Sequence, residues 1–119
     1  MCGNMINPSD VVKTETIVEL KEILADDFNV LVTSYLEDAQ ARIKKLQLAI
    51  EDADAAVIKA EAHSLKGSSL NLGARSLPEL CSQLESCGDT DSLEDTPALF
   101  SQIENEFLRV ETVLSQHAS

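Results

Sequence analysis

Apolar side chains recur every three or four residues along most of this chain, which is the period of an amphipathic α-helix. The longest such stripe runs from Phe28 to Ile50, and three more follow it, around Leu65, Leu84 and Phe107. Glycine and proline, at 4 and 3 of 119 residues, are too scarce for a fold of many strands and turns. Four long stripes joined by short loops predict an all-α fold, an antiparallel four-helix bundle.

Residues that favour helix ends separate the stripes and predict the bounds of each helix. The predicted starts are Thr14 for a short extra N-terminal helix, Asp26 and Asp27, then Asp52 or Asp54, then a capping box of Ser76 with Glu79, and finally Thr96. Gly73 and Gly88 are predicted to end the helices that precede them. The length suits a single domain over residues 1–119, with residues 1–9 as a flexible tail.

The formal net charge of -12 argues against nucleic acid or an anionic membrane surface as a partner, because both are negatively charged. No run of about 18 apolar residues is present, so we expect no membrane-spanning helix. The first ten residues, MCGNMINPSD, lack the basic region and the apolar stretch of a signal peptide. These features together predict a cytoplasmic protein.

Cys2, Cys81 and Cys87 form no CxxC motif, and an odd number of cysteines does not predict a disulfide framework. With only His63 and His117 besides, no zinc-binding set can be assembled. We therefore predict buried structural thiols and expect neither a bound metal nor a cofactor.

The stretch AHSLKGSSLNLGA, residues 62–74, interrupts an otherwise ordinary helical pattern. At about 100° per residue, His63 lies about 160° from the core position Leu65 and therefore faces solvent. Gly67 stands one turn from His63, although glycine costs about 1 kcal/mol relative to alanine inside a helix. This outer face carries small, basic and apolar residues rather than acids: Ala56, Lys59, Ala60, Lys66, Gly67 and Leu70. The pattern indicates that another molecule approaches His63 closely.

An exposed histidine beside lysines suits nucleophilic attack on phosphorus. Neutral imidazole is the attacking form, its unperturbed pKa is about 6.5, and a neighbouring ammonium disfavours imidazolium. The same ammonium can stabilise phosphoryl oxygens in the transition state. From the residues alone, a solvated helix face without function remains the alternative.

The run His63-Ser64-Leu65-Lys66-Gly67-Ser68-Ser69, followed by Leu72-Gly73-Ala74, closely resembles the signature of histidine phosphotransfer (HPt) domains. The likeness extends to LCSQLE, residues 80–85, and to the helix pattern from about residue 26 to the end. It implies that His63 accepts a phosphoryl group, that Lys66 supports that group and that Gly67 leaves room for it. In some members a glutamine on the next helix hydrogen-bonds the histidine. Glu85 stands at that position here, a departure to which the resemblance assigns no role.

The resemblance also implies a function, that of a relay protein in a multistep phosphorelay. A receiver domain of a hybrid histidine kinase, phosphorylated on aspartate, would pass its phosphoryl group to His63, which would pass it to the receiver of a response regulator. The receiver would supply the magnesium ion. The chain carries no nucleotide-binding motif, so we expect no kinase activity of its own. The resemblance is to the stand-alone type of this family, and we expect a monomeric carrier.

A docking face for the receiver follows from the helix geometry around His63. Lys59 and Lys66 are predicted to form a local positive spot that attracts the acidic pocket of a receiver. Additional contacts are predicted from four neighbours: Ala56, Ala60, Ser64 and Leu70. Two other functions remain as alternatives: a helical adaptor that binds receivers without phosphotransfer, and a small bundle that binds a metal or ligand.

Overall fold

The computed structural model describes residues 7–118, and in this range the chain forms six helices and no strand. The helices are α1 (Pro8–Val11), α2 (Thr14–Leu24), α3 (Asp27–Glu51), α4 (Ala55–Asn71), α5 (Ser76–Thr90) and α6 (Thr96–His117). The last four are long and pack side by side, α4 between α3 and α5, and α6 against α5 and α3. The predicted all-α bundle and its short extra helix, α2, are therefore confirmed.

The buried residues form one cluster to which all four long helices contribute. Its fully buried members are mostly the predicted stripe residues, among them Leu46, Ile58, Leu65, Leu77, Leu84, Ile103 and Leu114. One polar contact lies inside this core, where the Tyr35 hydroxyl and the Ser69 Oγ are 2.7 Å apart. Burial raises the pKa of Tyr35 to about 12, so the phenol stays protonated and joins α3 to α4 as a neutral hydrogen bond.

The two cysteines that the structure describes differ in burial, and only Cys81 is the buried thiol that the sequence predicted. Cys81 is fully buried in α5, and burial raises the pKa of its thiol to about 12, which makes it a poor nucleophile. Cys87 is only half-buried, and Cys2 lies outside the described residues.

The turn between α4 and α5 is held by the N-terminal segment, a contact that the sequence pattern did not reveal. Gly73 ends α4 as predicted, with a φ of +84°, in the left-handed region that favours glycine. The Lys13 N–H donates to the Gly73 carbonyl at 2.8 Å, and the Arg75 N–H donates to the Val11 carbonyl at 3.0 Å. Of the predicted tail over residues 1–9, Pro8 and Ser9 belong to helix α1, and residues 1–6 lie outside the described part.

Two predicted helix boundaries on α5 are wrong. Ser76 is the first residue of the helix rather than its cap, and Arg75 precedes it in a helical conformation without a capping hydrogen bond from its side chain. The pairing of Arg75 with Val11 places the start of α5, so the capping box with Glu79 does not form. The other end of α5 extends past Gly88 to Thr90. At the start of α4 the cap is Asp54, whose Oδ1 accepts from the Val57 N–H at 3.3 Å.

Gly88 lies inside α5 because α4 passes very close to it. A Cβ at this position would be 2.7 Å from the Ala55 carbonyl oxygen and 2.8 Å from the Lys59 backbone nitrogen, closer than a Cβ atom approaches its non-bonded neighbours in proteins. The missing side chain lets the two helices pack backbone to backbone at this level.

Between residues 7 and 118, no helix combines the length and the apolar character needed to cross a membrane.

A matched pair of glycine substitutions tests this close approach. Gly88→Ala should lower the free energy of unfolding by about 1–3 kcal/mol, because the new methyl group overpacks the contact with α4. Gly67→Ala in α4 should raise it by up to about 1 kcal/mol, since a Cβ there meets no atom within 4 Å and alanine favours the helix. Urea denaturation of both variants measures the difference, and equal changes would mean that Gly88 is not a packing residue.

Candidate functional site

The core stripe of α4 determines which way His63 points. Ala62 and Leu65, on either side of it in sequence, are fully buried, so the side chain between them turns outward. His63 is 67% exposed, as the helical rotation predicted. Gly67 is also exposed one turn further on, and no neighbouring atom requires the absence of its side chain.

Glu85 of α5 joins His63 to Lys66 through its two carboxylate oxygens. Its Oε2 lies 2.9 Å from His63 Nδ1, and its Oε1 accepts from Lys66 Nζ at 2.8 Å. The hydrogen bond from Lys66 lowers the pKa of Glu85, partial burial opposes it, and His63 adds to the lowering. At neutral pH Glu85 is therefore ionised, and each of its carboxylate oxygens has a hydrogen-bond partner.

The ionised carboxylate decides which nitrogen of His63 carries the proton. A carboxylate can only accept, so Nδ1 must be the donor to Glu85. In neutral imidazole the proton then resides on Nδ1, and Nε2 keeps an unprotonated lone pair. Nε2 lies on the edge of the ring that is turned away from Glu85, and the side chain is largely exposed. The arrangement therefore presents a nucleophilic nitrogen to an approaching molecule.

The charges around His63 differ from the sequence prediction. Lys59 Nζ is 2.7 Å from Asp89 Oδ1, with both side chains exposed, just as Lys66 is paired with Glu85. The charges of the two ammonium groups and the two carboxylates sum to zero, so the prediction of a local positive spot at Lys59 and Lys66 is wrong. The prediction considered α4 alone, whereas both carboxylates come from α5.

Most of the predicted docking residues border one shallow depression beside the imidazole. Its volume is about 470 Å³, and it is lined by Ala56, Lys59, Ala60, His63, Ser64 and Glu85. Leu70 does not line it, but lies two turns further along α4 with 55% of its surface exposed. A second, more polar depression of about 370 Å³ lies between α4 and α5. It is lined by Glu85, to which the sequence analysis assigned no role, and by three residues that the sequence analysis missed: Ser82, Ser86 and Asp89.

A simple counting signal could have identified the two carboxylates. In an antiparallel helical hairpin, residues at equal distances from the turn face each other. His63 and Glu85 are each 11 residues from Ala74, and Lys59 and Asp89 are each 15 residues from it.

Within the part of the chain that the structure describes, no group of three or more His, Cys, Asp or Glu residues is placed to hold a metal ion.

Comparison with known proteins agrees with this geometry. The structure is similar to that of histidine-containing phosphotransfer protein B (HptB) from Pseudomonas aeruginosa PAO1, with a TM-score of 0.87 and 32% sequence identity. The match covers 90% of this chain and 93% of that protein. No curated protein sequence matches the chain. The family model of the Hpt domain matches residues 30–113, well over half of the chain. The protein therefore belongs to the Hpt domain family, the histidine phosphotransfer intermediates of phosphorelay signalling.

Proposed function

We propose that His63 is the phosphoacceptor of this chain and that its Nε2 is the nucleophile. It accepts a phosphoryl group from the phospho-aspartate of a hybrid kinase's receiver domain and passes it to the receiver of a response regulator. One observation carries the proposal: the exposed imidazole has its Nδ1 bound to Glu85, which leaves the Nε2 lone pair directed to an approaching partner. The chain acts as a cytoplasmic monomer in this proposal.

Lys66 is the residue that we assign to the transferred group. Its ammonium has three N–H donors, and Glu85 takes one of them. The remaining donors can bind phosphoryl oxygens as negative charge develops during transfer. Gly67 keeps the approach to His63 open, since it presents no side chain to the partner. The receiver, with its acidic pocket, supplies the magnesium ion.

The receiver docks, in this proposal, over the depression beside His63. Ala56, Ala60 and Ser64 offer small side chains that permit a close approach, and exposed Leu70 adds an apolar contact further along α4. Lys59 lies at the edge of this face and is free to exchange Asp89 for an acidic group of the partner, because both residues are exposed. The local charge is balanced, so contact area contributes more to the docking than net attraction does.

Substitution of the histidine tests the proposal directly. His63→Gln should keep the fold, because the residue is exposed, and should abolish acceptance of radiolabelled phosphate from a phosphorylated receiver. His117→Gln is the control: because His117 lies in the last turn of α6 and is not the proposed phosphoacceptor, this variant should accept label as the wild-type chain does. Acid lability of the label on the wild-type chain identifies phosphohistidine. Label on the His63→Gln variant would contradict the proposal, and receiver binding without any labelling would favour the adaptor.

Gly67 can be tested for its role in access. Gly67→Gln should slow the transfer, because a long side chain on the outer face of α4 obstructs the approach to His63. Gly67→Ala, with no atom near its Cβ, should slow it much less. Rapid-quench transfer rates at saturating receiver measure the effect. Wild-type rates for both variants would show that the glycine is not needed for access.

The two lysines are expected to differ in their response to salt. Lys59→Ala should lower the association rate at low ionic strength only, because exposed charges are screened within about 10 Å at 0.1 M salt. Lys66→Ala should retain a transfer defect at high salt and at saturating receiver, because it removes a group that binds the phosphoryl oxygens. Rapid-quench kinetics at two ionic strengths separate the two effects. If the Lys66→Ala defect disappeared in salt, Lys66 would only steer the encounter.

A further inference from the structure

We propose that Asp89 is a specificity-determining residue for the phosphotransfer, because its ion pair with Lys59 favours receivers that present an acidic group to Lys59 and a basic group to Asp89. The inference rests on the proposed function, since it requires a receiver to dock over His63. It starts from one contact between α4 and α5, in which Lys59 Nζ donates to Asp89 Oδ1 at 2.7 Å. Both side chains are exposed, so both charges are accessible to a partner.

The position of the pair is fixed by the two backbones beneath it. Gly88, the residue before Asp89, lies so close to α4 that a Cβ on it would be 2.8 Å from the Lys59 backbone nitrogen and 3.0 Å from the Lys59 Cβ. The two side chains therefore leave their helices at the same level. The positive charge comes from α4 and the negative charge from α5, so a partner meets a charge pattern with a defined direction.

The pair lies inside the area that a docked receiver covers. Lys59 and Glu85 line both depressions, the one beside His63 and the more polar one, which Asp89 also lines. Asp89 is four residues beyond Glu85, about 6 Å along α5. A transient interface of about 600 Å² per partner is about 28 Å across, so a receiver centred on His63 covers both charges.

Under a docked receiver, each of the two charges needs a match. Little water remains there to screen them, and a covered charge without a partner is destabilising. A receiver surface of one sign is attracted by one of the two groups and repelled by the other. A surface with an acid above Lys59 and a base above Asp89 is attracted by both. The pair therefore selects receivers by the arrangement of their charges, although its own net charge is zero.

The second ion pair at this surface is less accessible to a receiver. Lys66 and Glu85 also connect α4 with α5, but the Glu85 side chain is 20% exposed, against 60% for that of Asp89. Glu85 is also bound to His63, which holds it in place. The other residues that line the two depressions carry no charged side chain besides Lys59. Discrimination between receivers by charge therefore falls to the Lys59–Asp89 pair.

An exchange of the two residues reverses the pattern without changing the net charge. Lys59→Asp/Asp89→Lys keeps one positive and one negative charge at this level of the helices, in the opposite order. Its transfer is measured by rapid quench with a set of receiver domains of different net charge, each phosphorylated with acetyl phosphate. The receiver with the lowest half-saturating concentration on the wild-type chain should need at least about tenfold more on this variant, because like charges then face each other at both positions.

Lys44→Asp/Glu104→Lys is the matched control, since it exchanges the same two charges between exposed residues elsewhere. Glu104 lies on α6, and Lys44 lies on α3, about 40° around the helix from Gln40, whose amide donates to Glu111 of α6. These two helices form the side of the bundle opposite α4 and α5. Half-saturating concentrations should stay within about twofold of the wild type, because charges so far from the docking face are screened. Circular dichroism verifies that each variant is helical.

Removal of the carboxylate alone should make the chain less selective. Asp89→Asn leaves the charge of Lys59 uncompensated, so the more acidic receivers should reach half-saturation at about two- to fivefold lower concentration at low salt. The receiver that the wild-type chain prefers should not improve, because it loses its contact with Asp89. The change should fall on the half-saturating concentration rather than on the transfer rate at saturation, since the pair does not contact His63.

Three results would each overturn the inference. The first is the same preferred receiver with the same half-saturating concentration for the exchanged chain and the wild type. The second is an equal response of the control on α3 and α6. The third is a defect confined to the transfer rate at saturation, because Asp89 would then act on the reacting groups. All three leave His63 as phosphoacceptor, whereas label on the His63→Gln chain would overturn the proposed function instead.

Discussion

The close antiparallel packing of α4 against α5 is the constraint on which the site depends. Gly88 lets the two backbones approach, and Gly73 turns the chain between the helices in a left-handed conformation. The N-terminal segment secures that turn through backbone hydrogen bonds of Lys13 and Arg75. With this register, Glu85 faces His63 across the hairpin at hydrogen-bond distance. A shift of one residue along α5 would turn the carboxylate by about 100° away from the imidazole.

This packing produces a site that is electrically balanced within a strongly acidic protein. The chain carries a formal charge of -12, yet each lysine beside His63 has its own carboxylate partner from α5. The two pairs do different things. The exposed Lys59–Asp89 pair contributes little to stability, as surface ion pairs generally do, and can be exchanged for a partner's charges. The more buried Lys66–Glu85 pair contacts the imidazole and determines which of its nitrogens faces the carboxylate.

Sequence patterns were sufficient for the features that depend on one helix alone. Burial of an apolar stripe requires a 3.6-residue period, so the long helices and the outward rotation of His63 could be predicted. Features that depend on two elements were missed. The pairing of Arg75 with the N-terminal segment moved the start of α5, and contact with α4 explains why Gly88 lies within that helix. The partners of the two lysines come from α5, so α4 alone suggested a positive spot that does not exist.

The most direct test of this account is the position of the phosphoryl group on the ring. The wild-type chain, labelled with 15N-histidine, would be phosphorylated by a receiver domain and examined by NMR for coupling between 31P and the ring nitrogens. The account predicts phosphorus bonded to Nε2 of His63, the ring nitrogen that faces away from Glu85. Phosphorus on Nδ1 would contradict the account, because the nitrogen bound to Glu85 would then have been the nucleophile. Phosphorus on any other residue would also contradict it, because His63 would not have been the phosphoacceptor.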